Sequence, residues 1–391
     1  MYTLDQIIKD NMRNTPEGIY AVNSSEFNAI ETPTIAEVRG KEYMYYGGKN
    51  LFPQRLIELY DTSAMHHTCV DSITAGIIGD GIEIIGQEYV NPHGETIDEI
   101  FEKVALDYTL YNGFAINVIW NKERTKIAEM YHLPFANVRS GKPDEDDQVT
   151  EYMFSTDWSN LRKYPYDTYR AFDATDNKGD NASQVYYCYG YTPGNEVYPL
   201  PPYVAAMNDI SLDAQVSRFH SNNISNGLAP SMFIKFRNGV PTPEERRDVY
   251  KEIEKTFTGT ENAGRFFLSF SEPGKEMDVT PIDSANDDYY LTLETRISSR
   301  ILTAHRITSP LLLGLHDSSS GGFSSNSDEI KVAYAHFEGT VITPKRKKIL
   351  SGFGYMLRLA GYNIALKVAP NTLVPEAQIA DTAPQTNIES L

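Results

Sequence analysis

Cysteine is nearly absent. Cys69 and Cys188 are the only two in 391 residues, too few for a disulfide framework or a four-ligand zinc site, which suits a reducing compartment. Basic residues are outnumbered, 35 Lys and Arg against 53 Asp and Glu, for a net charge of −18. That balance argues against a protein that grips nucleic acid with a broadly basic surface, whereas an acidic wall suits one past which phosphates must slide. No apolar run nears the roughly eighteen residues that span a bilayer; SPLLLGL (309–315) is the nearest approach. The start, MYTLDQIIKDNM, lacks the basic and apolar regions of a secretory signal, so a soluble intracellular or virion protein is expected.

Catalytic signatures are missing too. The chain holds no GxxxxGK[ST], HExxH, GxSxG or CxxC. GTENAGR (259–265) resembles a phosphate-cradling loop but lacks the lysine and a helix directly after it. His66, His67 and Cys69 fall in one predicted helix, where adjacent histidines face different directions and packing or surface roles are expected. His305, His316 and His336 are too dispersed to define a site by spacing. The rival reading is a monomeric hydrolase or metalloenzyme using His66, His67 or acidic residues in the N-terminal α+β portion.

What is present suffices to fold: hydrophobic residues make up 41% and tyrosine alone contributes 26 positions. After a polar, weakly patterned start to about residue 40, helices are predicted at 50–60, 64–78 and 95–113. Strands are predicted at GIEII (81–85), FAINVIW (114–120), KIAEMYHL (126–133), EYMFST (151–156) and VYYCYGY (185–191), with an acidic turn at KPDEDD (142–147). Tyr203 to Asn226 reads as a long helix with Met207, Ile210 and Ala214 on one side and Leu212, Val216 and Phe219 on another. Asn226-Gly227 and Pro230 stop it. A β-α-β unit comes next: SMFIKF (231–236), PEERRDVYKEIEKTF (243–257) and RFFLSF (265–270). A second long helix, 287–306, opens on three acids or amides, carries Leu293, Ile297 and Ile301 on one face, and ends before Ser309-Pro310. The small unit is therefore inserted between two long helices.

Beyond the second helix lies HDSSSGGFSSN (316–326), a serine and glycine run that cannot supply a core. Loops of that length inside a folded domain are usually functional or disordered. Asn326 with Glu329 then opens a helix striped by Ile330, Ala333, Tyr334, Phe337 and Val341. Pro344 is expected to separate it from a third segment that carries Lys345, Arg346, Lys347 and Lys348 and then Ile349, Phe353 and Leu357. The tail from about residue 369 is rich in Pro, Thr and Asn.

YYGGKNLFPQRL (45–56), PLPPYVAAMNDI (199–210) and FHSNNISNGLAPSMFIKF (219–236) occur in this order. GTENAGRFFLSF (259–270) and ETRISSRILTAHRITSPLLLGL (294–315) before the Ser/Gly loop complete the series. Together, over about residues 40–360, they resemble the portal proteins of tailed bacteriophages. The resemblance implies an α+β subunit: residues 1–200 an α/β wing, 201–228 and 284–308 two stem helices, 229–283 a β-α-β clip between them. Residues 309–360 would complete the wing, with a tunnel loop at 314–327, and 361–391 would be a short crown or tail, where family members often carry a substantial helical crown.

The resemblance also implies a homododecameric ring at the portal vertex of a virion capsid, assembled in the host cytoplasm. Double-stranded DNA would pass through it during packaging and ejection, with no membrane, metal or cofactor involved. The expected channel-facing residues are His316, Asp317, Ser318, Ser319, Ser320, Gly321, Gly322, Phe323, Ser324 and Ser325. Lys345, Arg346, Lys347 and Lys348 would form a basic belt facing DNA or a neighbouring subunit. Glu244, Glu245, Arg246, Arg247 and Lys251 of the clip would meet the terminase large subunit and later head-completion adaptors, and capsid and scaffolding proteins would surround the wing. Twelve copies would carry roughly 200 negative charges, which favours a repulsive bore.

Overall fold

The computed structural model describes residues 35–82, 89–175, 182–225, 232–236, 266–270, 287–314 and 327–362. Two short strands, Ile35–Glu37 (β1) and Met44–Tyr46 (β2), pair antiparallel. Phe52–Thr62 (α1) carries Pro53 in its first turn, where a missing N–H costs nothing. Ser63 then caps Ala64–Ile78 (α2), its hydroxyl accepting from the His66 N–H. Ile97–Tyr111 (α3) opens on a capping box made by Thr96 and Glu99. It closes on Asn112 in the left-handed region, a position amides tolerate.

Gly113–Trp120 (β3) lies at the heart of the main sheet, buried at almost every position and so covered on both faces. With Ile127–Leu133 (β4), Val138–Ser140 (β5), Glu151–Phe154 (β6), Asp167–Ala171 (β7) and Ser183–Tyr189 (β8) it forms a six-stranded sheet of order β4-β3-β8-β7-β6-β5. Every neighbouring pair is antiparallel except β7 and β8. The expected strands at 114–120, 126–133, 151–156 and 185–191 are all present. Residues 83–85 of GIEII lie outside the described residues.

Arg139 on β5 is fully buried, and no carboxylate pairs with it among the described residues. Its guanidinium donates to the carbonyls of Ala136, Val138 and Asn50 and to the side-chain oxygens of Asn50 and Gln54, at 2.7–3.2 Å. It also lies 4.9 Å from the Trp158 ring. Five satisfied donors offset the desolvation of a buried cation. Tyr198, stacked on Tyr46, donates to the Met44 carbonyl and accepts from the Ser140 N–H, tying β2 to β5.

Met207–Ser225 (α4) and Asp287–Ala304 (α5) are the two long helices. Arg300 meets Asp209 at 3.1 Å and His220 meets Glu294 at 3.2 Å, so the pair runs antiparallel. Met207, Ile210, Ala214 and Val216 are buried on α4, and Ile297, Ile301 and Leu302 on α5. Phe219 and Leu291, further from the sheet end, are 41% and 64% exposed. Asp213 is half-buried and accepts from the Ser63 hydroxyl at 2.7 Å. Met232–Phe236 (β9) and Phe266–Phe270 (β10), which lie between α4 and α5 in sequence, pair in parallel with Met232 opposite Phe266. Parallel neighbours need a crossover between them; the helix expected there, 243–257, is outside the described residues.

One expectation fails. Ser327–Phe337 (α6), a π-turn at Glu338–Ile342 and Thr343–Leu359 (α7) succeed one another without a break. Pro344 does not divide two helices. Within the widened turn the Thr343 N–H bonds to the Glu338 carbonyl, and proline then sits in the first turn of α7, where it gives up no bond. Further on, Gly352 lets α7 lie against the sheet: a Cβ there would come within 2.7 Å of the Tyr186 hydroxyl. Phe353 stacks on Phe101 of α3 beside it.

Candidate functional site

The π-turn is where the elements singled out in the sequence converge. Ile342 reaches Gly76 of α2 so closely that a Cβ on Gly76 would stand 2.7 Å from its Cδ1. Arg346 fastens the contact. Its guanidinium donates to the carbonyls of Gly76 and Ile77, at the C-terminal end of α2, and to Glu338 at 2.9 Å. Carbonyls in a last helical turn have no partner of their own, and a basic side chain is a favourable cap for them.

The four basic residues therefore do not share one environment. Lys347 and Lys348 are exposed, while Lys345 and Arg346 turn inward. Lys345 lies 5.5 Å from the Tyr108 ring, and burial, with Arg306 adding to the effect, pushes its ammonium down to about 8. It borders a cavity of about 180 Å³ walled chiefly by Ile73, Tyr108, Tyr203, His305, Arg306 and Val341.

Arg306 reaches that position by an unusual route. The helix α5 ends with Ile307 N–H to Leu302 O and Arg306 N–H to Thr303 O, leaving Arg306 at φ 58°. This is the helix-ending pattern in which glycine is the usual occupant, because a Cβ is strained there.

A pairing that spacing did not suggest lies behind the cavity. His66 Nδ1 and His305 Nε2, 239 positions apart, are 2.9 Å apart and buried, with Tyr203 against both rings. His66 Nε2 has no hydrogen-bond partner. Placing the proton on His66 Nδ1 leaves only a lone pair unsatisfied, which is less costly than an orphaned N–H. Burial holds His66 down at about 3 and His305 well below the usual imidazole value. His67 instead stacks on Tyr60 and faces Asp71 at 3.2 Å, so the adjacent histidines do point apart. Burial pushes the Cys69 thiol up to about 12, far from a nucleophile at neutral pH. Among the described residues no three His, Cys, Asp or Glu gather as a metal would require.

The whole Ser/Gly loop, 316–326, lies outside the described residues, as do positions 244–247 and 251. The loop's flanks are described. Pro310–Leu313 form a 3-10 turn closed by Gly314 at φ 72°, and α6 begins at Ser327.

The fold is shared with chains of gene transfer agent particles. Over 81% of this chain and 83% of the other, it matches a chain from the virion of a native gene transfer agent particle with a TM-score of 0.51 and 19% identity. A chain from the neck of a native gene transfer agent particle computed with C12 symmetry matches at 0.50 and 20% identity, over 79% and 81% of the two chains. A curated relative, an uncharacterized protein of Rickettsia bellii (strain RML369-C), is 28% identical over 154 residues, 39% of this chain and 38% of that protein. The chain thus spans little more than a third of the curated relative's length. The profile of the phage portal protein family matches residues 91–357, about two-thirds of the sequence. The chain belongs to that family.

Proposed function

We propose that twelve copies of this chain close into a ring at one capsid vertex of a virion, conducting double-stranded DNA inward during packaging and outward during ejection. The antiparallel pair α4 and α5 is the stem. The segment 229–283 is a clip that docks the terminase large subunit and then head-completion adaptors, through Glu244, Glu245, Arg246, Arg247 and Lys251. The loop 314–327 faces the bore, and the sheet with its helices is the wing, set among capsid and scaffolding proteins. No catalytic residue is needed; ATP hydrolysis belongs to the motor.

The observation that carries this reading is the exposure of apolar side chains on the long helices of the single chain. Leu291 on α5 and Val332 on α6 are 64% and 70% exposed, and Phe219 on α4 is 41% exposed. Such residues on helices otherwise buried along one stripe fit a subunit whose remaining faces are covered by neighbours. In a closed ring each subunit offers two different complementary surfaces to the copies on either side.

Electron microscopy of the purified protein tests the proposal: closed rings with a central hole are expected. Particles that stay monomeric at high concentration, even with capsid and scaffolding proteins present, would overturn it. Removing residues 317–325 is expected to leave rings intact while packaging or DNA retention fails. DNA-filled heads in normal yield from that deletion would remove the loop from the channel.

A further inference from the structure

We infer that the exposed face of α7 is a contact between copies of this chain, and that its occupant is the acidic turn joining β5 to β6 of the adjoining copy. The partner rests on the ring reading; the two surfaces are separate observations. Lys347, Lys348, Ser351, Tyr355 and Arg358 are all exposed. At ~100° per residue they fall within ~100° of one another around the helix. Ile349, Phe353, Met356 and Leu357 take the buried side. No ion pair holds any of the three cations among the described residues. Lys348 acts on the Cys188 thiol, but burial keeps that group neutral. Tyr355, 38% exposed within the strip, stands edge-on to Phe172, the kind of half-covered aromatic on which interfaces are anchored.

The chain carries the complement elsewhere. Asp144, Glu145, Asp146 and Asp147 are consecutive exposed acids, the longest such run in the sequence. No cation pairs with any of them among the described residues. The turn is fixed from inside. The Asp144 carboxylate accepts from the Asp146 and Gln148 N–H groups at 2.9 Å, and the Asp144 N–H donates to the Gln148 carbonyl. Pro143 bridges to Val149 beside them. Asp144 is thus used by the turn, while the carboxylates of Glu145, Asp146 and Asp147 accept no hydrogen bond among the described residues. A surface already set in one shape loses little freedom on docking.

Charge selects this occupant. Each copy carries −18, so two copies repel unless the surfaces that touch are locally opposite. At physiological salt a charge is felt over only ~8 Å, and the groups inside the contact decide. Within one chain the strip and the turn do not satisfy each other. The helix α7 lies against β8 at Gly352 and Tyr186, whereas β6 and β5 are two and three strands further across the sheet. A head-to-tail contact in a closed ring uses two such different surfaces, one from each neighbour.

Zero-length carbodiimide cross-linking of assembled rings, made from mixed light and heavy-isotope chains, is the direct test. Peptides joining Lys347 or Lys348 of one copy to Glu145, Asp146 or Asp147 of another are expected. Charge reversal accompanies it: Lys347→Glu with Lys348→Glu on α7, and Glu145→Lys with Asp146→Lys on the turn. All four positions are exposed, so each double variant is expected to fold with an unchanged melting temperature. Each is expected to need about tenfold or more protein for half-assembly, the scale of exchanging attraction for repulsion at an exposed contact. A chain carrying all four reversals is expected to assemble as the wild type does.

If wild-type protein forms no rings, the ring reading fails and takes the contact with it. If wild-type rings form, no such cross-link appears and both double variants assemble normally, the contact alone is overturned. Reversals that weaken assembly without rescuing each other would place the two surfaces against different neighbours. Normal assembly with impaired packaging in the α7 variant would assign the cations to DNA phosphate. Normal rings that fail to enter capsids would assign them to capsid protein. Each of these three results overturns the inference.

Discussion

Replacing Arg139 with methionine tests how the sheet is tied to the segment before α1. The substitution keeps the stem and removes a guanidinium whose five hydrogen bonds reach three backbone carbonyls and two amide side chains. Relief comes from no longer desolvating a cation, the force that holds the Arg139 pKa below its ordinary value. Against that, the carbonyls of Ala136, Val138 and Asn50 lose donors in a buried setting, at about 1–3 kcal/mol each. The net loss is about 3–5 kcal/mol, comparable to breaking a buried ion pair from one side. At roughly 2–4 °C per kcal/mol for a domain of this size, differential scanning calorimetry of the unassembled chain should show its transition about 10 °C lower. Arg139→Lys should recover little, because an ammonium cannot span the fork of acceptors. A fall of under about 2 °C, or full recovery with lysine, would refute the claim that these contacts clamp β5 to the loop before α1.

Below pH 6.5 the unfolded chain protonates His66 and His305 while the folded chain, with both values depressed, does not. Stability should therefore be intact above pH 6.5 and fall by up to about 1.4 kcal/mol per pH unit for each histidine between 6.5 and about 4. Urea titrations of wild type and His305→Gln across that range check this; parallel curves would contradict it. Lys345 has a folded-state value of about 8, so the unfolded chain holds more protons between pH 8 and the ordinary lysine value. Lys345→Met should stabilise the isolated subunit at pH 7 by on the order of 2–3 kcal/mol, with the gap closing as pH rises through that window. A constant gap up to pH 10 would show that packing, not charge, is responsible.

The long helices were legible because their apolar residues recur at helical spacing over many turns: Ile297 and Ile301, and Met207, Ile210 and Ala214, are buried as that spacing predicts. The strands β5 and β7 were not. Val138–Ser140 is three residues long, and Asp167–Ala171 is polar or half-buried throughout, so neither has an alternation to read. Arg139 was invisible for a deeper reason: a charged residue in sequence signals surface, and only tertiary neighbours can supply five acceptors. The same applies to His66 and His305, which no local spacing links. Pro344 misled because a proline inside a helical pattern usually ends it, whereas here the π-turn makes room. The basic run read as one feature, yet helical geometry sends Lys345 and Arg346 inward and leaves Lys347 and Lys348 outside.

The unbroken run from Ser327 to Leu359 has a mechanical consequence. One end adjoins the Ser/Gly segment, and the other lies on the sheet at Gly352 and Phe353. A continuous rod of ~50 Å carries a push at its tip to the distant sheet with little loss. The joint along it is the widened turn, clasped by Gly76 and Arg346.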